Sequence, residues 1–217
     1  MMEIAIKEIK KIIPYSGLEE RLRQVPLMGR DEQGNQIYPY RSANISLREI
    51  SVDEVNPTTF YLLQSGIEHQ IRLNQELLKY GIDTLRLHSA VVFETEQGIR
   101  TLLPPIVEVQ EEHVKFENHH GDRTYPGTYR IKVPLINDGA HRLYLARMRE
   151  VHPTVLYLSG IPSRYPFYAF PNHWDDVRVV DEVPRNKEEK KLYRREESYA
   201  LYRNLDRVFE GCSKPRT

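Results

Sequence analysis

The spacing of apolar positions changes several times along the chain, and each change marks an element. The opening stretch MMEIAIKEIKKIIPYSG sets isoleucines among lysines and glutamates, which predicts a short amphipathic helix. The rest of the lead-in, to about residue 45, holds no sustained period, and GRDEQGNQ (29–36) reads as a turn between extended arms. ISLREISVDEVNP follows and ends on Asn56-Pro57, a turn signal because proline fixes its own φ and restricts its predecessor. In SGIEHQIRLNQELLKYG, Ile67, Ile71 and Leu78 share one helical stripe, and Gly81 is placed to end the helix.

Strand character then takes over. TLRLHSAVVFE and GIRTLL flank the turn TEQG, and PPIVEV comes directly after. Past the polar segment NHHGDRTYPG, the run TYRIKVPLIN alternates Tyr129, Ile131, Val133 and Leu135 with more polar neighbours. Next comes a helical pattern, HRLYLARMRE, with Tyr144, Leu145 and Met148 close on one face, and then TVLYLSG (154–160), a buried strand. Strand, short helix and strand in that order predict a β-α-β unit with parallel strands and a right-handed crossover. IPSRYPFYAFPNHWDD carries too many prolines and aromatics for regular structure. From Lys187 to Phe209, the apolar positions Leu192, Tyr199, Tyr202, Leu205 and Phe209 predict a long helix packed back on the body. Its lysines and arginines alternate with glutamates, the pattern of a solvated face.

Composition narrows the classes. A chain of 217 residues makes one sizeable domain with appendages, or two small ones. Hydrophobic residues make up 40%, enough for a real core. Lysine plus arginine equals aspartate plus glutamate, 31 each, and that balance disfavours non-specific nucleic-acid binding, which draws its affinity from phosphate neutralisation. The single cysteine, Cys212, allows no intrachain disulfide and no zinc framework, so a reducing, cytoplasmic setting is expected. No apolar run approaches the roughly 18 residues of a membrane span, and a soluble protein with no membrane partner is expected.

The chemistry concentrates in PLINDGAHRLYLA (134–146), where a strand turns into a helix. A helix start leaves backbone N–H groups without intrahelical partners, and the helix dipole adds partial positive charge there. Gly139 lets backbone approach a ligand without a β-carbon in the way. Arg142 offers a planar fork for two phosphate oxygens and is expected to face ligand rather than core. His141 adds a donor whose charge depends on pH. Asp138 can cap the helix or hold a magnesium ion that bridges phosphates. Asp-Gly between strand and helix is also ordinary punctuation, but the four residues together favour a phosphate ligand.

GAHRLYLA, with INDG before it and PPIVEV upstream, resembles the ParB/sulfiredoxin superfamily. ParB-type domains start this helix with glycine-acid-arginine-arginine, sulfiredoxins with glycine-cysteine-histidine-arginine, and ParB-like free-serine kinases with aspartate-glycine-histidine-threonine-arginine. Gly139, His141, Arg142 and Ala146 stand at the matching positions, and Asp138 matches the kinase-like form. The resemblance covers about residues 45–160 and implies an α+β fold, a ParB/sulfiredoxin-like mixed sheet with N- and C-terminal additions. It divides the chain into an N-terminal extension (1–44), a nucleotide-binding core (45–160), and an aromatic loop with C-terminal helix (161–217). It also implies that Gly139, Ala140, His141 and Arg142 hold the phosphates of ATP or another nucleotide. Sulfinic-acid reduction is disfavoured, since Ala140 stands where sulfiredoxins carry their cysteine and Cys212 lies in the tail. No helix-turn-helix of the chromosome-partition type is evident.

The expected activity is therefore phosphotransfer from ATP to a small hydroxylated acceptor, or nucleotide hydrolysis, with Asp138 and His141 as the catalytic candidates and Mg2+ on Asp138. Glu68 and Glu108 are the candidates for a general base. The alternatives are a ParB-like nuclease or DNA-binding protein, which a basic stripe on one face would favour, and a nucleotide-sensing module without turnover. Two further constellations stand apart. His113, His119, His120 and Asp122 in and before NHHGDR could ligate a metal, though a surface hairpin is the favoured reading. Asn172, His173, Asp175 and Asp176 surround the only tryptophan in PNHWDD, either as a packed loop or as one closing the acceptor site.

Overall fold

A computed structural model describes residues 5–120 and 123–212, with the side chains of 116–125 outside the description. The strands are β1 (Ile6–Ile13), β2 (Asn44–Glu49), β3 (Tyr61–Leu63), β4 (Ala90–Thr95), β5 (Gly98–Leu102), β6 (Ile106–His120), β7 (Arg123–Asp138), β8 (Thr154–Ser159) and β9 (Arg178–Val180). The helices are α1 (Tyr15–Leu22), α2 (Gln64–Leu78) and α3 (Ala140–Met148). The fold is α+β. Its sheets run in the order β1-β4-β5, β2-β8-β6-β7 and β3-β9, with parallel pairing in β6–β8 and β3–β9 and antiparallel pairing elsewhere.

Strand parity divides the core around the four-stranded sheet. Ile106, Leu156 and Leu158 pack with Leu18 and Leu22 of α1 and with Leu205 and Phe209 near the C-terminus. Their strand neighbours Val107, Ile136 and Val155 pack instead with Ile67 of α2, Leu143 and Ala146 of α3, and Trp174. Successive strand side chains point to opposite faces, so the same short strands serve two apolar layers. Helix α2 ends as its sequence predicts. Gly81, at φ 73°, closes a left-handed turn in which its N–H donates to the Leu78 carbonyl and that of Ile82 to the Leu77 carbonyl.

Four expectations are corrected. The N-terminal stretch is the strand β1, paired antiparallel with β4 and not a helix. Register shifts between Ile6 and Glu8 and between Ile9 and Lys11 break its period of two, which leaves Ile6, Ile9 and Ile13 at helix-like intervals. The strand-helix-strand unit around α3 is not a parallel crossover. Strand β8 adds to the free edge of β6, so β7 and β8 run antiparallel and are not neighbours. The nine residues of α3 span only about 14 Å and bring the chain back to the same end of the sheet. On α3 the buried apolar residues are Leu143, Leu145 and Ala146, while Met148 is exposed.

The segment 187–209 is not a long helix. It contains the short 3-10 turns Ser198–Leu201 and Leu205–Arg207 and single bridges from Tyr193 to Ala169 and from Arg203 to Leu27. Leu192 and Tyr199 are exposed and Lys191 and Arg203 are buried, while Lys187, Glu188, Glu189, Arg195, Glu196, Glu197 and Arg207 stand in solvent as the charge pattern implies. Lys191 donates to the Tyr168 hydroxyl at 2.7 Å, and Arg194 pairs with Glu112. These side chains find fixed acceptors in the body, and that tethering replaces helical hydrogen bonding.

Candidate functional site

The strand-to-helix turn is built around Gly139. Its φ of 87° is a left-handed conformation that L side chains rarely adopt. A β-carbon there would lie 2.8 Å from Cβ of Pro105 and 3.1 Å from Nη2 of Arg142. The missing side chain thus makes room for the protein's own proline and guanidinium, and not for a ligand as the sequence implies.

Arg142 departs from expectation in the same way. Its side chain turns inward, with the residue only 3% exposed. Nη1 donates to the Leu103 carbonyl, and Nη2 lies 3.4 Å from Oδ2 of Asp138. Burial lowers the guanidinium's proton affinity, and the charge of Asp138 opposes that shift. The fork therefore braces the turn from beneath. Asp138 remains about one-third exposed at its side chain and is the turn's own carboxylate.

His141 links two helices. Its Nε2 accepts a hydrogen bond from the Leu63 N–H at 3.2 Å, so the neutral ring carries its proton on Nδ1. Gly66, in the first turn of α2, lies flat against the imidazole, since a β-carbon there would fall 2.5 Å from Nε2. No side chain caps the start of α2 or of α3. Ala140 begins α3, half-buried against the apolar layer below. Two uncapped helix starts converge on one histidine, which concentrates partial positive charge at the turn.

Cys212 is nearer than its place in the sequence implies. It packs on the core layer that includes Ile106 of β6, close enough for the charges of Asp138 and Arg142 to act on its thiol. Burial, reinforced by Asp138, pushes its thiol well above the ordinary range. Thiolate chemistry depends on a lowered value. The tail position thus gives no distance from the turn, but the suppressed acidity keeps the thiol protonated.

Glu108 is wholly buried and belongs to a network that sequence reading missed. Its carboxylate accepts from Arg203 through Nε at 3.0 Å and Nη2 at 2.8 Å, from Asn137 at 2.7 Å, from Gln110 at 3.1 Å, and from the Tyr40 hydroxyl. Arg203 spends its other donors on the carbonyls of Leu201, Tyr165 and Pro166. A carboxylate so occupied and wholly shielded from solvent braces the sheet and is out of reach of a substrate. One signal was available: Glu108 shares the strand face of Ile106, and an acid buried among apolar residues requires a cation. Glu68, on α2, is half-exposed and pairs with Arg72 at 3.5 Å.

The PNHWDD loop packs its tryptophan. Trp174 donates its indole N–H to the carbonyls of Val52 and Val55, each at 3.0 Å, and lies beside Tyr144. Asn172 is buried and donates to the Thr59 carbonyl, while His173, Asp175 and Asp176 are exposed. Asp175 and Asp53 flank Arg147 at 3.4 and 2.8 Å. The candidate metal residues His119, His120 and Asp122 lie outside the described side chains, and His113 is exposed on β6. Among the described residues no group of three histidine, cysteine, aspartate or glutamate side chains could hold a metal ion.

The family model of the ParB CE domain matches residues 17–178, most of the chain. The chain belongs to that ParB-like family. Comparison with curated proteins and with solved structures gives no match. No helix among the described residues is long and apolar enough to cross a membrane.

Proposed function

We propose that this chain binds a nucleotide at the 138–142 turn and transfers its terminal phosphoryl group to a small hydroxylated acceptor, in a reducing cytoplasmic setting. The observation that carries the reading is the convergence of the α2 and α3 starts on His141, within a ParB-like domain. Phosphate oxygens would accept from backbone N–H groups at Gly139, Ala140 and His141. Arg142 would contribute positive potential from below, and Asp138 would carry the magnesium ion that arrives with the nucleotide. His141, held in one tautomer by Leu63, would orient the transferring group. Catalysis of this kind is mainly positioning and charge neutralisation.

Nucleotide consumption measured with ATP and magnesium, across a panel of small hydroxylated acceptors, tests the reaction. Acceptor-dependent release of ADP is the expected result. Binding without consumption for every acceptor would reduce the protein to a nucleotide sensor.

A further inference from the structure

Four segments of the chain bring cations into one open cleft of about 1090 Å³. Lys11 comes from β1, Arg21 and Arg23 from α1 and its end, Arg41 from the loop before β2, and Arg207 from the last 3-10 turn. Glu20 is the acid on this lining, and no residue of the 138–142 turn contributes to it. Arg23 is tied to Glu19 at 2.7 Å and to the carbonyls of Arg41 and Ala43. Lys11, Arg21, Arg41 and Arg207 form no ion pair among the described residues.

In a chain with equal numbers of acids and bases, such clustering is not a consequence of composition. The adjacent lysine shows the usual arrangement, with Lys10 braced by Glu8 at 2.6 Å and Glu94 at 2.7 Å. Like charges in a concave surface repel one another and focus a positive field on whatever enters. An aromatic surface stands beside them, since the Arg41 guanidinium lies 5.6 Å from the centre of the half-buried Tyr38 ring.

We infer that this cleft binds a short run of single-stranded nucleic acid, with Lys11, Arg21, Arg41 and Arg207 on its phosphates and a base stacked at Tyr38. The volume is at or above the range of about 300–1,000 Å³ for small-molecule pockets, and the cations lie along its walls, so an extended polyanion suits it better than one nucleotide. A concave wall with a stacking ring suits a strand whose bases are exposed. Reading a duplex instead takes a helix or ribbon that enters a groove. Four phosphate contacts imply that log affinity falls with log salt at a slope of about −3 for a single strand.

Fluorescence anisotropy with a labelled mixed-sequence 12-nucleotide strand, read from 25 to 150 mM NaCl, tests the proposal. Inorganic polyphosphate and a 12-base-pair duplex serve as competitors. The Arg21→Gln/Arg207→Gln double variant should roughly halve the salt slope and weaken binding at least tenfold, with an unchanged melting temperature. Tyr38→Ala should weaken binding about tenfold at constant slope. ATP binding at the 138–142 turn should be the same in all these proteins, so the two sites can fail separately. An unaltered slope in the double variant would overturn the assignment. So would polyphosphate or duplex competing as well as the unlabelled strand, or an unaltered affinity in Tyr38→Ala.

Discussion

Arg203 meets Glu108 in the interior through two nitrogen–oxygen contacts of 2.8 and 3.0 Å, with both side chains wholly shielded from solvent. The pair ties the C-terminal segment to the central strand β6 across 95 residues of sequence. Removing one partner of a buried pair leaves the other charge uncompensated, at about 3–5 kcal/mol. Arg203→Ala and Glu108→Ala should each lose a substantial part of the roughly 5–15 kcal/mol that stabilises a folded domain. Arg203→Lys should recover little, because a point charge cannot reach the carboxylate and three carbonyls together. Urea unfolding of the three variants is the check, and a Glu108→Ala protein as stable as wild type would contradict the role given to the pair.

Gly139→Ala should destabilise the fold by more than the roughly 1–2 kcal/mol of a left-handed L residue, because the new methyl would also press on Pro105. Gly98 provides the control. It has φ 106° with nothing within 4 Å of the place a methyl would occupy, so Gly98→Ala should show the conformational cost alone. Equal shifts in melting temperature for the two variants would remove the packing argument.

Part of this was legible in the sequence. The strands in TLRLHSAVVFE, GIRTLL, PPIVEV and TVLYLSG were readable because their apolar runs are short, dense and bounded by turn signals, although β4 begins only at Ala90 and β6 only at Ile106. The end of α2 was readable because only a left-handed residue completes that cap. Strand β1 was not, since two register shifts convert its alternation into helix-like spacing. The 187–209 segment misled because its apolar spacing resembles a helix while buried Lys191 and Arg203 hold it in irregular form. At the turn, the change from strand to helix at Gly139 was readable, but the direction of Arg142 depends on Leu103 and Pro105, which no local pattern reveals.

The PNHWDD loop should answer to its tryptophan. Trp174→Ala should cost about 3–5 kcal/mol, as large aromatic deletions in a core do. His173→Ala and Asp175→Asn, at exposed positions, should each change stability by no more than about 0.5 kcal/mol. Thermal melts check this, and nucleotide turnover should be read in the same proteins. A large loss of turnover at unchanged nucleotide affinity in Asp175→Asn would instead give the loop an acceptor-binding role.

Stability should fall at alkaline pH. Burial, and then the charge of Glu108, raise the Tyr40 hydroxyl well above its usual range, and burial does the same for Cys212. The folded protein keeps these protons where the unfolded chain releases them, above about pH 8.5 for the thiol and about pH 10 for the phenol. The contribution is complete below those values and is lost as pH rises towards the folded ones. Tyr40→Phe should be less stable at pH 7, having lost its bond to Glu108, yet decline less steeply between pH 9 and 11. Urea midpoints across that range decide the matter, and parallel curves would contradict it.

Calorimetric titration of ATP with magnesium into wild type and Ser65→Asp tests the nucleotide site most directly. Ser65 is exposed in the first turn of α2, next to the glycine that touches His141. An acid there favours the helix through its dipole but opposes phosphate at the converging helix starts. Ser65→Asp should have an unchanged or raised melting temperature with nucleotide affinity weakened about tenfold, or about 1.4 kcal/mol. Equal affinities in the two proteins, or no binding of ATP, ADP or CTP by wild type, would contradict the nucleotide site.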